Sequence, residues 1–255
     1  MKKSLAIIMT LALVVATSYS FPHSASAGVA RVQMFSGTNT AFASSVTTGS
    51  VTVTAGNLII CSAEADTVAL NGITMTDSKS NAWTRVKATS SAATFDSEVW
   101  YAIATVGGAS YTVTATDTGG GVDSLIICEE WSGASATPVD VSAAASGITS
   151  TALNSGATAS TAQNNEIVIG AGSASGNVTM TAGGTYTNLN KVNTTFSTQA
   201  FESKIVSSTG AQTADMTSGT SGTWNMIVAT FKEAAAGGVS DLNIDNKGVT
   251  IFGDF

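Results

Sequence analysis

The chain has 255 residues, 44% hydrophobic and only 11% charged, with ten Lys and Arg against 17 Asp and Glu, a formal net charge of −7 and a single histidine. That length is enough for one large domain with a proper core, and the acidic balance speaks against a nucleic-acid surface, which needs a basic patch. Polarity comes instead from uncharged Ser, Thr, Gly and Asn, a composition common on extracellular β domains.

Residues 1–27 read as a signal peptide outside the fold. Lys2 and Lys3 form a positive start, 5–16 is an apolar run, and Ala25-Ser26-Ala27 is a small-x-small cleavage site that leaves Gly28 first. The run is too short for a membrane anchor, and no cysteine follows the cut to carry a lipid. The expected address is therefore secreted, extracellular or cell-surface, without membrane insertion. Cleavage takes Lys2 and Lys3 from the ten basic residues, leaving eight against 17 acidic ones, a net charge of −9. It also removes His23, the one histidine. A Ser-His-Asp or Cys-His catalytic constellation is then excluded, as is a zinc site of the usual His or multi-Cys kind.

From residue 29 onward, strand signals follow one another. The segment 29–38 alternates, and so does 49–54. Ala55-Gly56-Asn57 is a turn signal before the apolar run Leu58-Ile59-Ile60-Cys61. Short strands are expected at 73–75 and 83–87, then a long one at 98–106 (EVWYAIATV), rich in aromatic and β-branched residues. Gly107-Gly108 turns into 110–116 (SYTVTAT), and a glycine run at 119–121 leads to the second apolar run, Leu125-Ile126-Ile127-Cys128. No sustained helical period occurs between 28 and 233.

The second half repeats the first at an offset of roughly one hundred residues. EIVIG at 166–170 parallels NLIIC at 57–61, VTMT at 178–181 parallels ITMT at 73–76, and 224–231 closes the unit as 124–131 does. The fold class expected is all-β: a jelly-roll-like β-sandwich of two antiparallel sheets, built from two weakly repeated halves that share one core over 28–233. Two separate Ig-like sandwiches and an outer-membrane barrel are the competing arrangements. The first lacks a clear linker, and the second lacks the aromatic girdles such barrels need.

Cys61 and Cys128 sit at the same place in two similar strands, 67 residues apart. In an exported protein they invite a disulfide, which would close a loop worth about 4 kcal/mol in the chain-entropy model. The alternative is a pair of buried free thiols.

Chemistry is sparse. Glu64 and Asp66 follow the first LIIC run and Glu129-Glu130 the second. One acid from each pair is the only glycoside hydrolase arrangement available, and a structural Ca²⁺ is the milder reading of the same carboxylates. Trp83 and Tyr186 occupy matching positions beside turns in the two halves. They are the candidates for an aromatic sugar-stacking platform.

The region 57–232 resembles a sandwich domain of secreted bacterial and phage-associated proteins. The resemblance is carried by Gly56-Asn57-Leu58, the DSKSNAWT segment at 77–84, Glu98-Val99-Trp100-Tyr101, Tyr111-Thr112-Val113-Thr114 and the stretch from Trp224 to Lys232. It implies a sandwich fold and an extracellular address, and assigns no activity.

Beyond 233 the composition changes. Residues 234–239 read as a linker, and 240–255 as a tail in which Asp241, Asn243 and Asp245 form a D-x-N-x-D string. This resembles the first half of a type I dockerin repeat, whose loop wraps Ca²⁺ with oxygen ligands at alternate positions. Asn246 stands where that pattern has glycine, and Asp254 lies two places beyond the expected final ligand, so the tail reads as degenerate or truncated. The functional expectation is a non-catalytic binding or adhesive module, with a glycan or a surface protein as partner and Ca²⁺ as its one candidate cofactor. The alternative is a structural subunit of a cell-surface or virion appendage, assembled by β-strand addition.

Overall fold

The computed structural model describes residues 28–39, 43–66, 70–91, 95–119 and 123–235, together with the backbone of two short strands near the C-terminus. The first half supplies β1 (Ala30–Asn39), β2 (Ser45–Thr47), β3 (Val51–Val53), β4 (Leu58–Ala65), β5 (Ile73–Asp77), β6 (Thr84–Ser91), β7 (Phe95–Ile103), β8 (Gly108–Tyr111), β9 (Val113–Asp117) and β10 (Ser124–Ser132). The second supplies β11 (Ala134–Asn154), β12 (Glu166–Ser175), β13 (Met180–Thr181), β14 (Asn188–Asn193), β15 (Ser197–Val206) and β16 (Asp215–Glu233). No helix occurs among the described residues, and every pairing is antiparallel. The all-β sandwich class is as expected.

A five-stranded and a six-stranded sheet carry the architecture, in the orders β1-β10-β4-β7-β6 and β11-β16-β12-β15-β14, with β13 pairing off the second path to β16. These are the same order, element for element, so the repeat read from the apolar runs is a repeat of topology. The two sheets pack face to face with β1 against β14 and β6 against β11. Since β1 corresponds to β11 and β6 to β14, that pairing is a pseudo-twofold one.

Each large sheet has a second cover on its far face, which the expected two-sheet jelly roll lacks. In the first half the cover is the short sheet β2-β9-β5 with the pair β3-β8. In the second, the same places are taken by the far ends of β11 and β16, where Leu153 faces Met216, and by β13. The reason is visible in β4, every residue of which is buried from Leu58 to Ala65. Successive side chains of a strand point to opposite faces, so Leu58 and Ile60 pack with Ile167, Ile169, Phe201 and Phe231 of the other half. Ile59 and Cys61 pack with Phe35, Val46, Met75 and Tyr111 under the short sheets. An uninterrupted apolar run is the mark of a strand buried on both faces. The halves thus share one core, as expected, and each keeps a second core of its own.

The 21-residue β11 covers most of a stretch that reads as a Ser/Ala/Thr connection with only a short strand inside it. It pairs along β16 through several bulges. Its Gly147 lies flat on the Trp224 indole, where a Cβ would come within 2.5 Å of the ring nitrogen.

Cys61 and Cys128 are directly opposed on neighbouring strands and bonded to each other, with Cα atoms 4.0 Å apart. The bond cross-links the first half only. Near the C-terminus, β17 (Asn243–Asp245) pairs antiparallel with β18 (Gly248–Thr250). Replacing both cysteines, Cys61→Ala with Cys128→Ala, is expected to lower the unfolding free energy by about 2–5 kcal/mol. Urea denaturation of oxidised wild type against the double variant checks this.

Candidate functional site

Most buried acids of this chain are committed to holding the fold together. Glu129, fully buried, forms an ion pair with Arg31 (Nε to Oε1 2.6 Å) and accepts from Trp131 Nε1 at 3.1 Å, Asn190 Nδ2 at 3.1 Å and Ser203 Oγ at 3.2 Å, tying β1 and β10 to the other half. Glu130, on the opposite face, accepts from Gln33 Nε2 at 2.6 Å, the Thr54 amide at 2.9 Å and Asn57 Nδ2 at 2.6 Å, fixing the turn before β4. Glu98 is held by Trp100 Nε1 at 2.7 Å and the Ile73 amide at 3.2 Å, with Arg85 at 3.5 Å. Glu129 and Glu130 do not line the cleft that holds Glu64 and Asp66, and both already accept hydrogen bonds from structural donors.

The two aromatic candidates are also built into the structure. Trp83 is half-buried against the first-half core and donates its Nε1 hydrogen to Asp77 Oδ2 at 2.8 Å. Asp77 also accepts from Tyr111 Oη at 2.9 Å and from the Lys79 amide at 2.7 Å. Asn81 anchors the same turn to Thr105 and Val106. The DSKSNAW segment is thus a hydrogen-bonded turn organised by Asp77. Tyr186 is 9% exposed, donates to the Thr213 carbonyl at 3.2 Å and has the Lys204 ammonium 4.4 Å from its ring centre. The placement of Tyr186 as an exposed platform is corrected, because both its ring and its hydroxyl are occupied. Asp241 lies outside the described residues. For Asn243 and Asp245 only the backbone, in β17, is described.

The cleft that remains lies where the two large sheets part. Along that end of the interface the apolar contacts give way to a polar layer. Gln199 Nε2 meets Ser62 Oγ at 3.0 Å, Ser97 Oγ meets Ser173 Oγ at 3.1 Å, and Asn225 Nδ2 meets Ser97 Oγ at 3.0 Å. Beyond them opens a cleft of about 200 Å³ lined by Glu64, Asp66, Phe95, Ser175, Phe196 and Ser197. It draws Glu64 and Asp66 from the end of β4, and Ser175, Phe196 and Ser197 from the ends of β12 and β15 and the turn between β14 and β15. Phe196 is 55% exposed. Glu64 is 1% exposed and Asp123, just before β10, is equally buried.

Ser197 Oγ bridges these two acids, 2.9 Å from Glu64 Oε2 and 3.2 Å from Asp123 Oδ2, and Thr194 Oγ1 donates to the same oxygen of Asp123. The second oxygens, Glu64 Oε1 and Asp123 Oδ1, have no hydrogen-bond donor. Burial pushes the Glu64 carboxyl up to about 8; the Ser197 hydroxyl opposes this, and the negative charges of Asp123, Asp66 and Asp96 add to it. Burial raises Asp66 as well, with Asp123 and Asp117 adding to the effect.

Of this set only Glu64 and Asp66 are legible in the sequence as strand-end acids. Phe196 and Ser197 are a lone aromatic and a serine in a polar TTFST stretch, with no pattern to mark them. No family model, curated protein or solved structure matches the chain.

Glu98 is pushed up to about 7 and Glu202 to about 8, in both cases chiefly by burial. With Glu64 they make three acids whose folded-state pKa lies above the unfolded value of 4.5. The folded chain then binds more protons than the unfolded chain between those limits, so stability falls as pH rises through that window. Thermal unfolding is expected at a higher temperature at about pH 5.5 than at about pH 8.5. Glu202→Gln should shrink that difference; a melting temperature that rises from the acid to the alkaline condition would contradict the assignment.

Proposed function

We propose that this chain is a secreted, non-catalytic binding module whose ligand is a glycan, and that the cleft between β4 and the ends of β12 and β15 takes the end of the sugar chain. The observation that carries this reading is the exposed Phe196 ring beside buried carboxylates and hydroxyls. A pyranose offers an apolar C–H face and a rim of hydroxyls, and this cleft offers an aromatic ring beside Glu64, Asp66, Ser175 and Ser197. At about 200 Å³ it is smaller than the roughly 300–1,000 Å³ of pockets that enclose drug-sized ligands, which suits a single terminal residue.

Two features favour binding over hydrolysis. Glu64 and Asp66 are two residues apart at one strand end, whereas glycosidic cleavage needs carboxyl groups on the two sides of the scissile bond. Glu98, Glu129 and Glu130 are occupied by structural donors. Secretion rests on the Lys2–Ala27 features of the sequence, and the dockerin-like string from Asp241 is the proposed Ca²⁺-dependent docking element.

The competing reading, a subunit assembling by strand addition, is disfavoured by the sheet edges. β1 carries a bulge between Arg31 and Gln33 and turns Arg31 inward to Glu129. β6 carries a bulge between Arg85 and Lys87, and β11 carries several. Bulges and inward or edge charges are the devices that keep sheet edges from pairing with other chains.

Glycan-array screening of the chain, followed by calorimetry on the best ligand, tests the proposal. Phe196→Ala is expected to weaken binding about twofold to tenfold, the effect of losing one aromatic contact of about 0.5–1.5 kcal/mol, while the melting temperature stays near wild type because most of the ring is exposed. Absence of any retained glycan, or equal binding by the variant, would overturn it.

A further inference from the structure

We infer that the acids of this cleft form a Ca²⁺ site, with Glu64 and Asp123 as direct ligands and Asp66 at its solvent side. The inference rests on the cleft's geometry and stands whether or not the glycan reading holds.

Three observations carry it. The first is the pair of orphaned oxygens. Glu64 and Asp123 are each only 1% exposed, and each leaves one carboxylate oxygen without a donor. A buried polar atom left without a partner costs about 1–3 kcal/mol, and more when charged, so two of them on carboxylates joined through Ser197 call for a shared partner. The second is the sign of the local charge. Glu64, Asp66 and Asp123 act on one another, and Asp96 and Asp117 add to the same field. Among the described residues the two ion pairs lie elsewhere, Arg31 with Glu129 and Arg85 with Glu98. Among the described residues no Lys or Arg forms an ion pair with Glu64, Asp66 or Asp123. The third is the way the other oxygens are held. Ser197 and Thr194 fix Glu64 Oε2 and Asp123 Oδ2 from behind, which leaves the opposite edge of each carboxylate as the coordinating one.

The donor set selects the metal class. All nearby donors are oxygens: carboxylates, and the hydroxyls of Ser175 and Ser197. Hard cations take such ligands, and Ca²⁺ accepts six to eight of them in flexible geometry, whereas Mg²⁺ demands a near-ideal octahedron. No three acidic, Cys or His side chains are pre-arranged about one point among the described residues. The ion would therefore take two carboxylates directly and fill the remaining positions with water. That ligand charge places the affinity in the weak range of extracellular modules, about 10⁻⁴–10⁻³ M. Such a site faces the same opening as the exposed Phe196 ring, so ligand hydroxyls could replace coordinated water.

The test uses the full chain and CaCl₂ alone, with no sugar present. Calorimetry and thermal unfolding are followed up to about 10 mM Ca²⁺, ten times the weak end of that range. The dockerin-like tail is taken out of account by the substitutions Asp241→Ala and Asp245→Ala. The expected result is a saturable heat and a rise in melting temperature that survive the tail substitutions. Both should be lost in Asp123→Asn and weakened several-fold in Asp66→Asn, whose side chain is partly exposed and leaves folding intact. Should Asp123→Asn fail to fold, the Asp66→Asn affinity decides. No heat and no shift with the tail-substituted chain would overturn the inference, and so would Ca²⁺ binding that Asp66→Asn and Asp123→Asn leave unchanged. Equal stabilisation by Mg²⁺ would overturn the assignment to Ca²⁺. A positive Ca²⁺ result with no glycan retained would remove the sugar reading and leave the metal site.

Discussion

Burial of the central strands on both faces is the constraint from which the rest of this molecule follows. A strand such as β4, with no exposed residue from Leu58 to Ala65, cannot belong to a sheet with one wet side. It needs apolar cover on each side, and β12 has the same need, being buried from Glu166 to Ala174. The solution is a stack in which two sheets with the same five-strand order cover one another and each receives its own outer strands. At roughly 25 cal/mol per Å² of apolar surface removed from water, the inner interface of Leu58, Ile60, Val99, Ile127, Trp131, Ile169, Phe201 and Phe231 is where the two halves become one body. The disulfide adds to the first half alone, since both cysteines lie there.

The same packing explains why so many acids are buried in a chain with few charges. Strands apolar on both faces leave little room for polar residues, and those that remain fall inside the stack. Glu129, Glu130 and Glu98 are each supplied with donors, and each joins a strand to a turn or to the opposite half. A buried carboxylate oxygen without a donor is costly: Asp96, Glu166 and Glu202 each keep one, and so do Glu64 and Asp123, which share Ser197. These last two lie where the interface has already turned polar through Ser62, Gln199, Ser97 and Asn225. The candidate cleft is therefore a local departure from the packing rule that governs the central strands.

Much of the fold was readable from residue pattern alone. The LIIC runs, their EIVIG and MIVATF counterparts and the ITMT/VTMT echo marked the repeat, and the opposed cysteines marked neighbouring strands. What the pattern hid was the number of layers: a continuous apolar run signals two-face burial, but it does not say what lies on the second face. The strand β11 was hidden for a different reason. Its Ser, Ala, Thr and Gly residues carry little strand preference, and it is ordered by pairing with β16 and by the flat contact of Gly147 with Trp224. The site was less legible still. Trp83 and Tyr186 drew attention as aromatics beside turns, yet each is held by a hydrogen bond, Trp83 by Asp77 within its own turn and Tyr186 by Thr213, 27 residues on. Asp123 meets Glu64 through the pairing of β10 with β4, and Phe196 and Ser197 reach it only through the packing of one half on the other, which no local spacing encodes.

The central claim is that the duplicated halves form one cooperative body through the buried faces of β4, β10, β12 and β16. Native-state amide hydrogen exchange across a denaturant series tests it directly, because it reads the opening free energy of each strand separately. The account expects the slowest amides of β4 and β10 to converge with those of β12 and β16 on a single global opening. Exchange of one half's central strands at a distinctly lower free energy, while the other half stays closed, would contradict it.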